Sequence, residues 1–214
     1  MLVDHFPLVG LRLVTPRLEL RLPDAEELAQ LAELAARGVH DPDTMPFWEP
    51  WTDQPPAEVA RHVVRQHWRR LGAWSADDWV LDLVVFHDGV VAGVQTIRAR
   101  DLAITREVST GSWLGRRFHG KGIGTEMRAA VLHLAFAGLG AAEAVSFAFD
   151  HVGASLAVSR KLGYQPDGFD RVVIRGALTI DRRQRLTRAA WEQHRTVPVT
   201  IDGLTPCLPL LGIG

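Results

Sequence analysis

The sequence predicts a single domain of the α/β class (α+β type), in which helices flank a mixed, mostly antiparallel β-sheet. Apolar runs of strand length alternate with longer segments in which apolar residues recur every three or four positions. Asp88-Gly89 separates two β-rich runs, and this dipeptide is a strong hairpin signal. A glycine-rich turn at residues 119–124 joins an apolar strand to a helix. Together these three observations predict the fold class.

The composition limits the classes of function. The chain has 214 residues, of which 47% are hydrophobic and 23% charged, and its formal net charge is −1. This length suits one domain with a sizeable core. A nearly neutral chain has no overall field for nucleic acid or an anionic membrane, and no apolar run approaches a membrane span. We therefore expect a cytoplasmic protein with no nucleic-acid or membrane partner.

The cysteine and histidine residues form no pattern of metal ligands. Cys207 is the only cysteine, so it cannot form an internal disulfide, and we interpret it as structural. His62 and His67 are five positions apart and therefore diverge on a helix. We expect no metal site.

The first quarter of the chain predicts a strand, a helix and a long loop. Alternating apolar residues on both sides of Thr15-Pro16 indicate one bent edge strand. Pro23-Asp24 begins a helix that ends near Gly38. The loop at 39–56 holds five prolines and cannot be regular structure. Three aromatic residues lie in it: Phe47, Trp48 and Trp51. The loop either packs as a lid on the fold or lines a ligand pocket, and the two roles are compatible.

The remaining elements follow from the same periodicities. Helices are predicted at 58–71, 125–137, 153–162 and 187–194. Strands are predicted at 79–86, 90–97, 107–114, 144–149, 171–175 and 178–180. The arginines of the 58–71 helix are interpreted as a solvated face. The segment after residue 197 has no clear period.

The glycine-rich turn has the features of an anion site. Three alternate glycines remove the Cβ atoms that would keep a ligand off the backbone, and the helix that follows presents unpaired N–H groups and a positive dipole end. A dinucleotide fingerprint would need glycine where Thr125 or Met127 stands, and a Walker loop would need Ser or Thr after Lys121. Neither nucleotide motif is present.

The turn resembles the acetyl-coenzyme A pyrophosphate loop of the GNAT superfamily of N-acetyltransferases, with His119 in the place of its usual Gln or Arg. Residues 154–164 (ASLAVSRKLGY) resemble the family's helix after the fifth strand. Residues 15–21 (TPRLELR) point to the branch similar to ribosomal-protein alanine N-acetyltransferases. The order of predicted elements is similar to the GNAT fold over residues 8–182, and 183–214 is expected to be a C-terminal extension packed on the same domain.

The resemblance implies a splayed strand before the loop and a bound acyl-CoA. Pantetheine is expected to pair with the backbone near the end of the strand, where one N–H polarises the thioester carbonyl. The implied coenzyme-binding residues are Trp113, Leu114, Arg117, His119, Gly120, Lys121, Gly122, Ile123, Gly124 and Thr125. Arg116 is a further cation within reach of a phosphate. Val152 stands where the branch usually has Asn, which puts one coenzyme contact in question.

Direct attack of an amine on a thioester needs a proton acceptor and a proton donor but no enzyme nucleophile. The family often carries Glu at the start of the splayed strand, which implies Glu107 as the base, and pairing of Glu107 with Arg106 or another cation is the alternative. A free Glu has a pKa of about 4.3 and needs apolar surroundings to act near neutral pH. Ser155 matches the branch's serine near the sulfur and is the implied acid. Tyr164 is either a second acid or a residue packed on the sheet.

The expected function is transfer of an acetyl or related acyl group from acyl-CoA to a primary amine, on a protein N-terminus or a small molecule. A succinyl donor stays open, because the loop binds the part that all CoA esters share. The alternative is an acyl-CoA sensor or partner module without turnover. Phe47, Trp48 and Trp51 are expected to line the acceptor side. A homodimer is expected from family habit.

Overall fold

The computed structural model describes residues 1–213, in which nine strands form one sheet. In chain order the strands are β1 Arg12–Val14, β2 Leu18–Arg21, β3 Asp78–His87, β4 Val90–Arg100, β5 Glu107–Leu114, β6 Glu143–Phe149, β7 Gln165–Ile174, β8 Ala177–Thr187 and β9 Thr200–Asp202. Across the sheet their order is β7-β8-β6-β5-β4-β3-β2-β1-β9. All neighbours are antiparallel except β5 and β6.

Seven α-helices accompany the sheet in this part of the chain. They are α1 Leu2–His5, α2 Ala25–Ala36, α3 Pro56–Gly72, α4 Leu102–Thr105, α5 Ile123–His133, α6 Gly153–Lys161 and α7 Arg188–His194. Parallel neighbours need a crossover connection, and α5 supplies it between β5 and β6. No helix within residues 1–213 is long and apolar enough to cross a membrane. The fold is the predicted mixed, mostly antiparallel sheet with flanking helices.

Strands β5 and β6 pair over only part of their lengths. Their parallel register ends at Thr110 opposite Ser146, whereas β5 continues to Leu114. On its other side β5 stays paired with β4 to the end, where Leu114 lies opposite Gly93. Residues 111–114 therefore have a backbone edge that no β6 residue covers, and the predicted splay is confirmed.

The predicted hairpin is confirmed, with longer strands than expected. Asp88 and Gly89 both have positive φ, at 50° and 74°, which gives the turn the twist that two antiparallel strands need. The pairing of β3 and β4 extends from His87 opposite Val90 to Asp78 opposite Arg100, with one irregularity. These two strands form the centre of the sheet.

The two helices on either side of the long loop begin with the expected signals. The Asp24 side chain accepts from the Glu27 N–H at 2.8 Å and the Glu27 side chain accepts from the Asp24 N–H at 2.9 Å, which makes a capping box. Helix α3 begins at Pro56, two residues earlier than predicted, because proline suits the first helical turn. Trp68 of α3 is 63% exposed.

The expectation of one bent edge strand at the N-terminus is wrong. The Thr15 N–H donates to the Leu18 carbonyl at 2.9 Å, so the chain reverses through Pro16, which has no N–H to contribute to a ladder. The result is an antiparallel pair, β1 and β2. Strand β9 pairs with β1 and forms this edge of the sheet. It comes from the segment after residue 197, which has no clear period in the sequence.

The C-terminal segment belongs to the core of the domain. The predicted boundary of the C-terminal extension, between residues 182 and 183, lies inside strand β8. Cys207 and Leu211 are fully buried. The indole N–H groups of Trp74 and Trp79 donate to the carbonyls of Leu210 and Leu211, at 2.8 and 3.2 Å.

Two further boundaries differ from the prediction. Strand β7 begins at Gln165, six residues before the predicted strand at 171–175, and has an irregularity in its pairing between Pro166 and Phe169. Helix α5 begins at Ile123 rather than at 125 and continues into a π-helical turn over Leu134–Gly138. This π-helical turn begins ten residues after Gly124, the last glycine of the loop.

Candidate active site

The glycine loop leads from the free end of β5 into helix α5. Gly120 and Gly122 adopt left-handed backbone, with φ of 72° and 78°, which residues with a Cβ rarely adopt. The first bond of the helix is donated by Thr125 N–H to the Gly122 carbonyl at 3.1 Å. The N–H groups of Gly122, Ile123 and Gly124 have no acceptor among residues 1–213. They are free donors at the positive end of the helix.

His119 braces the loop against the strand that precedes it. Its Nε2 lies 3.0 Å from the Leu114 carbonyl oxygen, and a carbonyl only accepts, so Nε2 carries the proton. This bond fixes the loop over the last residue of β5. The resemblance placed His119 at a position of coenzyme contact, and in the structure its ring makes a protein contact there.

An ion pair between Arg17 and Glu126 fastens the loop from the other side. Arg17 Nε lies 2.7 Å from Glu126 Oε2, and Arg17 Nη1 donates to the Lys121 carbonyl at 3.0 Å. Thr15 Oγ1 donates to Glu126 Oε1 at 2.7 Å. Burial alone would raise the pKa of Glu126, but the hydrogen bonds from Thr15 and Arg17 outweigh it and lower that pKa. Glu126 is therefore a carboxylate at neutral pH.

Three exposed cations surround the loop: Arg116, Arg117 and Lys121. The Arg117 guanidinium carbon lies 4.7 Å from the centre of the Phe118 ring, and Lys121 Nζ lies 6.0 Å from it. In the described part of the chain none of the three has a carboxylate within ion-pair distance. Their charges face solvent, where a ligand phosphate can pair with them.

Gly93 lets β4 approach the end of β5 closely. A Cβ at this position would lie 2.2 Å from the Trp113 carbonyl oxygen and 2.8 Å from Leu114 Cα. Any other residue would push β5 away from its remaining partner. The glycine therefore helps to fix the position of the free edge.

A cavity of about 390 Å³ opens beside the free edge of β5. Its walls come from the long loop, from α3, from the facing surfaces of β3 and β4, and from residues 109–113 of β5. Phe147 of β6 lines it on the far side of the splay. The cavity thus reaches the gap where the two parallel strands separate.

The three aromatic residues of the loop all line this cavity. Trp51 stacks on His62 with ring centres 5.2 Å apart and lies 6.0 Å from Trp113. Phe47 lies 5.2 Å from Trp51. The Trp48 indole N–H donates to the Asp181 carboxylate at 3.0 Å. The loop therefore packs on the fold and lines the cavity at once.

The polar groups of the cavity are mostly paired. Asp82 accepts from Arg70 and from Thr96 Oγ1, the latter at 2.6 Å. Burial lowers the pKa of both His62 and His67, so both imidazoles are neutral at neutral pH. A neutral imidazole is able to accept a proton.

Glu107 lies outside the walls of the cavity. One of its carboxylate oxygens is 2.6 Å from Arg185 Nη1, which also bonds to Glu143. Glu107 is therefore paired with a cation, and that cation is Arg185 rather than Arg106. The Arg106 guanidinium instead donates to the Gly140 carbonyl at 2.8 Å. Ser109, two residues along the same strand face, does line the cavity.

Ser155 and Tyr164 have different environments. Ser155 is half-buried near the start of α6, and its Oγ lies 3.5 Å from Arg128 Nη2. Tyr164 is only 2% exposed, and its hydroxyl lies 3.4 Å from Thr110 Oγ1, so it packs against the sheet. Val152 stands at the N-cap position of α6 without a capping side-chain bond and packs against buried apolar residues.

Our reading of the sequence missed several polar residues at or near this site: Asp82, Arg128 and Asp181. Asp82 interrupts an otherwise apolar strand, and Arg128 lies between buried positions of an apolar helix face. A charged residue inside an apolar pattern is a usable signal for a functional or buried polar site. Among residues 1–213 there is no cluster of three potential metal ligands.

Comparisons with known proteins identify the family and the fold. The model of the acetyltransferase (GNAT) domain matches residues 17–165. A GCN5-related N-acetyltransferase from Brucella melitensis is similar in structure, with a TM-score of 0.68 and 18% identity over 86% of this chain and 81% of that one. RimL, a ribosomal L7/L12 α-N-protein acetyltransferase in complex with coenzyme A, has a TM-score of 0.62 and 20% identity over 81% of this chain and 96% of that one.

RimJ from Mycobacterium smegmatis, in complex with a CoA disulfide, has a TM-score of 0.63 and 18% identity over 82% of this chain and 85% of that one. At these identities the structures establish the fold, and the family model covers most of the chain. The chain therefore belongs to the GNAT family of acetyltransferases, which use acetyl-CoA.

Proposed function

We propose that this acetyltransferase transfers an acetyl group from acetyl-CoA to a primary amine by direct attack of the amine on the thioester. The observation that carries the proposal is the uncovered backbone edge of residues 111–114. This edge leads into a loop whose N–H groups at Gly122, Ile123 and Gly124 have no acceptor among residues 1–213. An amide-rich arm that ends in a pyrophosphate matches both parts in order.

The residues present fit the coenzyme. Positive φ at Gly120 and Gly122 turns the loop backbone toward the ligand, and a Cβ built on Gly120 meets no protein atom within 4 Å. The pantetheine amides pair with the backbone at Trp113 and Leu114. The pyrophosphate accepts from the loop and from the first turn of α5 up to Thr125, and the neighbouring cations add charge. These cations are Arg117 and Lys121. His119 holds the loop in place.

The acceptor amine enters from the cavity. Phe47, Trp48 and Trp51 give it a partly apolar wall, and Trp51 lies next to Trp113 at the free edge. An amine has to lose its proton before it attacks, and a partly dry wall favours the neutral form. We propose a primary amine on a partly apolar carrier, either a protein N-terminus or a small molecule.

Glu107 is the proposed base, acting through water. A specific observation favours a second candidate, His62, because its imidazole lines the cavity, stacks on Trp51 and has a lowered pKa. Either residue would accept the proton that the attacking nitrogen loses when the C–N bond forms. Ser155 is the proposed donor to the sulfur, whose bond to the acyl carbon breaks in the same reaction. The products are the N-acyl amine and coenzyme A with a free thiol.

The experiment measures thiol release from acetyl-CoA with a panel of primary amines, and coenzyme binding by calorimetry. Turnover with at least one amine supports the proposal. Succinyl-CoA in the same assay tests the alternative donor. Tight coenzyme binding with no turnover on any amine or donor would favour a coenzyme-binding module and would overturn the catalytic proposal.

A further inference from the structure

Arg128 is a buried arginine without a carboxylate partner. It lies on α5, one helical turn after Gly124, and its side chain is 4% exposed. Among residues 1–213 it forms no ion pair, and its Nε has no hydrogen-bond acceptor. Burying a cation without an opposite charge is costly, so such a group is usually kept for a reason.

The polar neighbours of Arg128 are neutral. Its Nη1 lies 2.9 Å from Ser159 Oγ and its Nη2 lies 3.5 Å from Ser155 Oγ. Tyr164 is also close, and burial raises its pKa, so it stays a neutral phenol. Glu126, two residues earlier on the same helix, faces Arg17. Burial lowers the pKa of Arg128 itself, but a guanidinium loses its proton only far above neutral pH, so Arg128 stays charged.

The direction of these bonds matters. A guanidinium can only donate, so the Ser155 oxygen is the acceptor toward Arg128 and its own O–H is free to donate elsewhere. Helix α6, which carries Ser155, packs beside the loop. A Cβ built on Gly124 would lie 3.9 Å from Val158 Cγ2 of α6 and 3.9 Å from Leu114 Cδ1 at the end of β5. Helix α6 thus lies against the loop near the end of β5, and its Ser155, three residues before Val158, contacts the buried positive charge of Arg128.

We propose that the positive charge of Arg128 stabilises the coenzyme A thiolate as it leaves. Arg128 is a positioning residue, because it acts through the hydroxyl of Ser155. This inference rests on the proposed function. When the acyl C–S bond breaks, its electron pair stays on sulfur and the Ser155 O–H donates a hydrogen bond to it. The thiolate then takes up one proton, which balances the proton that the amine lost to the base.

A positive charge near the sulfur lowers the pKa of the bound thiol, and a purely structural tie between α5 and α6 does not. The first measurement therefore uses the unmodified protein. The thiolate absorbance of coenzyme A is titrated free and bound, with desulfo-coenzyme A as the blank. We expect the bound thiol to ionise at least tenfold more readily, a drop of one pKa unit. An unchanged thiol pKa would overturn the inference.

The second measurement uses variants. Arg128→Gln is expected to remove most of that shift and to leave the affinity for desulfo-coenzyme A within about twofold, because the analogue has no sulfur to stabilise. Arg128→Met, which fills similar volume without donors, replaces it if the glutamine variant does not fold. Arg160→Gln, which removes an exposed charge from α6, the helix that carries Ser155, is the matched control and should keep the shift.

The outcomes separate the two proposals. A shift that persists in the Arg128 variants would assign it to the helix ends and overturn the role of Arg128. If neither coenzyme A nor desulfo-coenzyme A binds the unmodified protein, the proposed acyl-CoA site itself fails. If coenzyme A and desulfo-coenzyme A both bind but the thiol of bound coenzyme A ionises no more readily than that of free coenzyme A, the site stands and only the role of Arg128 is rejected.

Discussion

Arg17 and Glu126 join the start of the sheet to the first turn of the helix that follows the glycine loop. Their side chains meet at 2.6 Å between Nη2 and Oε2, and Glu126 is 7% exposed. Arg17 also donates to the Lys121 carbonyl inside the loop. The shape of the loop therefore depends on a residue more than a hundred positions earlier in the chain.

The first prediction concerns this pair. Glu126→Gln should lower the free energy of unfolding by about 2 kcal/mol, the size of a hydrogen bond to a charged group, and should weaken coenzyme binding. The pKa of Glu126 is lowered in the folded state, so its contribution is complete above the ordinary glutamate pKa of about 4.3 and is lost as the pH falls through the folded value. Urea unfolding at several pH values measures both effects.

The control is Glu33→Gln, because Glu33 forms an exposed pair with Arg37 on α2. Exposed pairs contribute little, so this variant should change stability by less than about 1 kcal/mol. A gap between the unmodified protein and Glu126→Gln that stays constant down to acid pH would contradict the ionised state of Glu126.

The second prediction compares two glycines with the same backbone strain. Gly120 and Gly140 have φ of 72° and 71°, and a Cβ on either meets no protein atom within 4 Å. Alanine at either position should lower stability by about 1 kcal/mol. Only Gly120→Ala should weaken coenzyme A binding, because its methyl group enters the space of the pyrophosphate. Calorimetry on both variants measures the difference, and equal affinities would remove Gly120 from the site.

The third prediction assigns the base. Glu107→Gln is expected to lower kcat/KM by about 10²-fold, because it removes the proposed proton acceptor. A role of His62 as the base predicts a pH profile of its own, because a base must be neutral and burial lowers the pKa of His62. Its acid limb would lie below the ordinary histidine pKa of about 6.5. A limb at that position that survives Glu107→Gln and disappears in His62→Gln would move the role to His62.

The fourth prediction concerns Asp181, a 1% exposed carboxyl group under the aromatic loop. Burial raises its pKa, and the bond from Trp48 only partly opposes this. An acid with a raised folded pKa destabilises the fold as the pH rises above its unfolded value of about 3.9. Asp181→Asn should therefore stabilise the protein at neutral pH by about 1 kcal/mol, with no gain below pH 3.9. Thermal unfolding at both pH values tests this, and a destabilised variant at neutral pH would show that the charge is needed.

Local patterns were enough to predict much of the fold. The Asp88-Gly89 turn, the Asp24 cap and the glycine loop each depend on a few adjacent residues, so the sequence displays them directly. The burial of Leu211 and the pairing of β9 depend on contacts with residues far away in the chain. No periodicity of a three-residue strand can reveal such a partner.

The candidate site divides in the same way. The glycine loop, where we propose that the coenzyme binds, is a contiguous segment, so its resemblance to the GNAT loop is visible in the sequence. The cavity is assembled from α3, β3, β4, β5 and the long loop, so His62 and Asp82 become neighbours only after folding. The pairing of Glu107 with Arg185 joins two strands separated by β6 in the sheet, which fixes the environment of the proposed base and was invisible in the sequence.

Strand β9 also bears on how the protein is made. Its pairing brings Asp202 opposite Arg12, so β1 leaves the ribosome long before the strand that pairs with it. Until β9 is made, β1 is an edge strand with unpaired backbone groups, and such a strand can pair with other chains. Contacts between such distant residues form slowly, so we expect nascent chains that stop before Thr200 to depend on chaperones far more than the completed domain does.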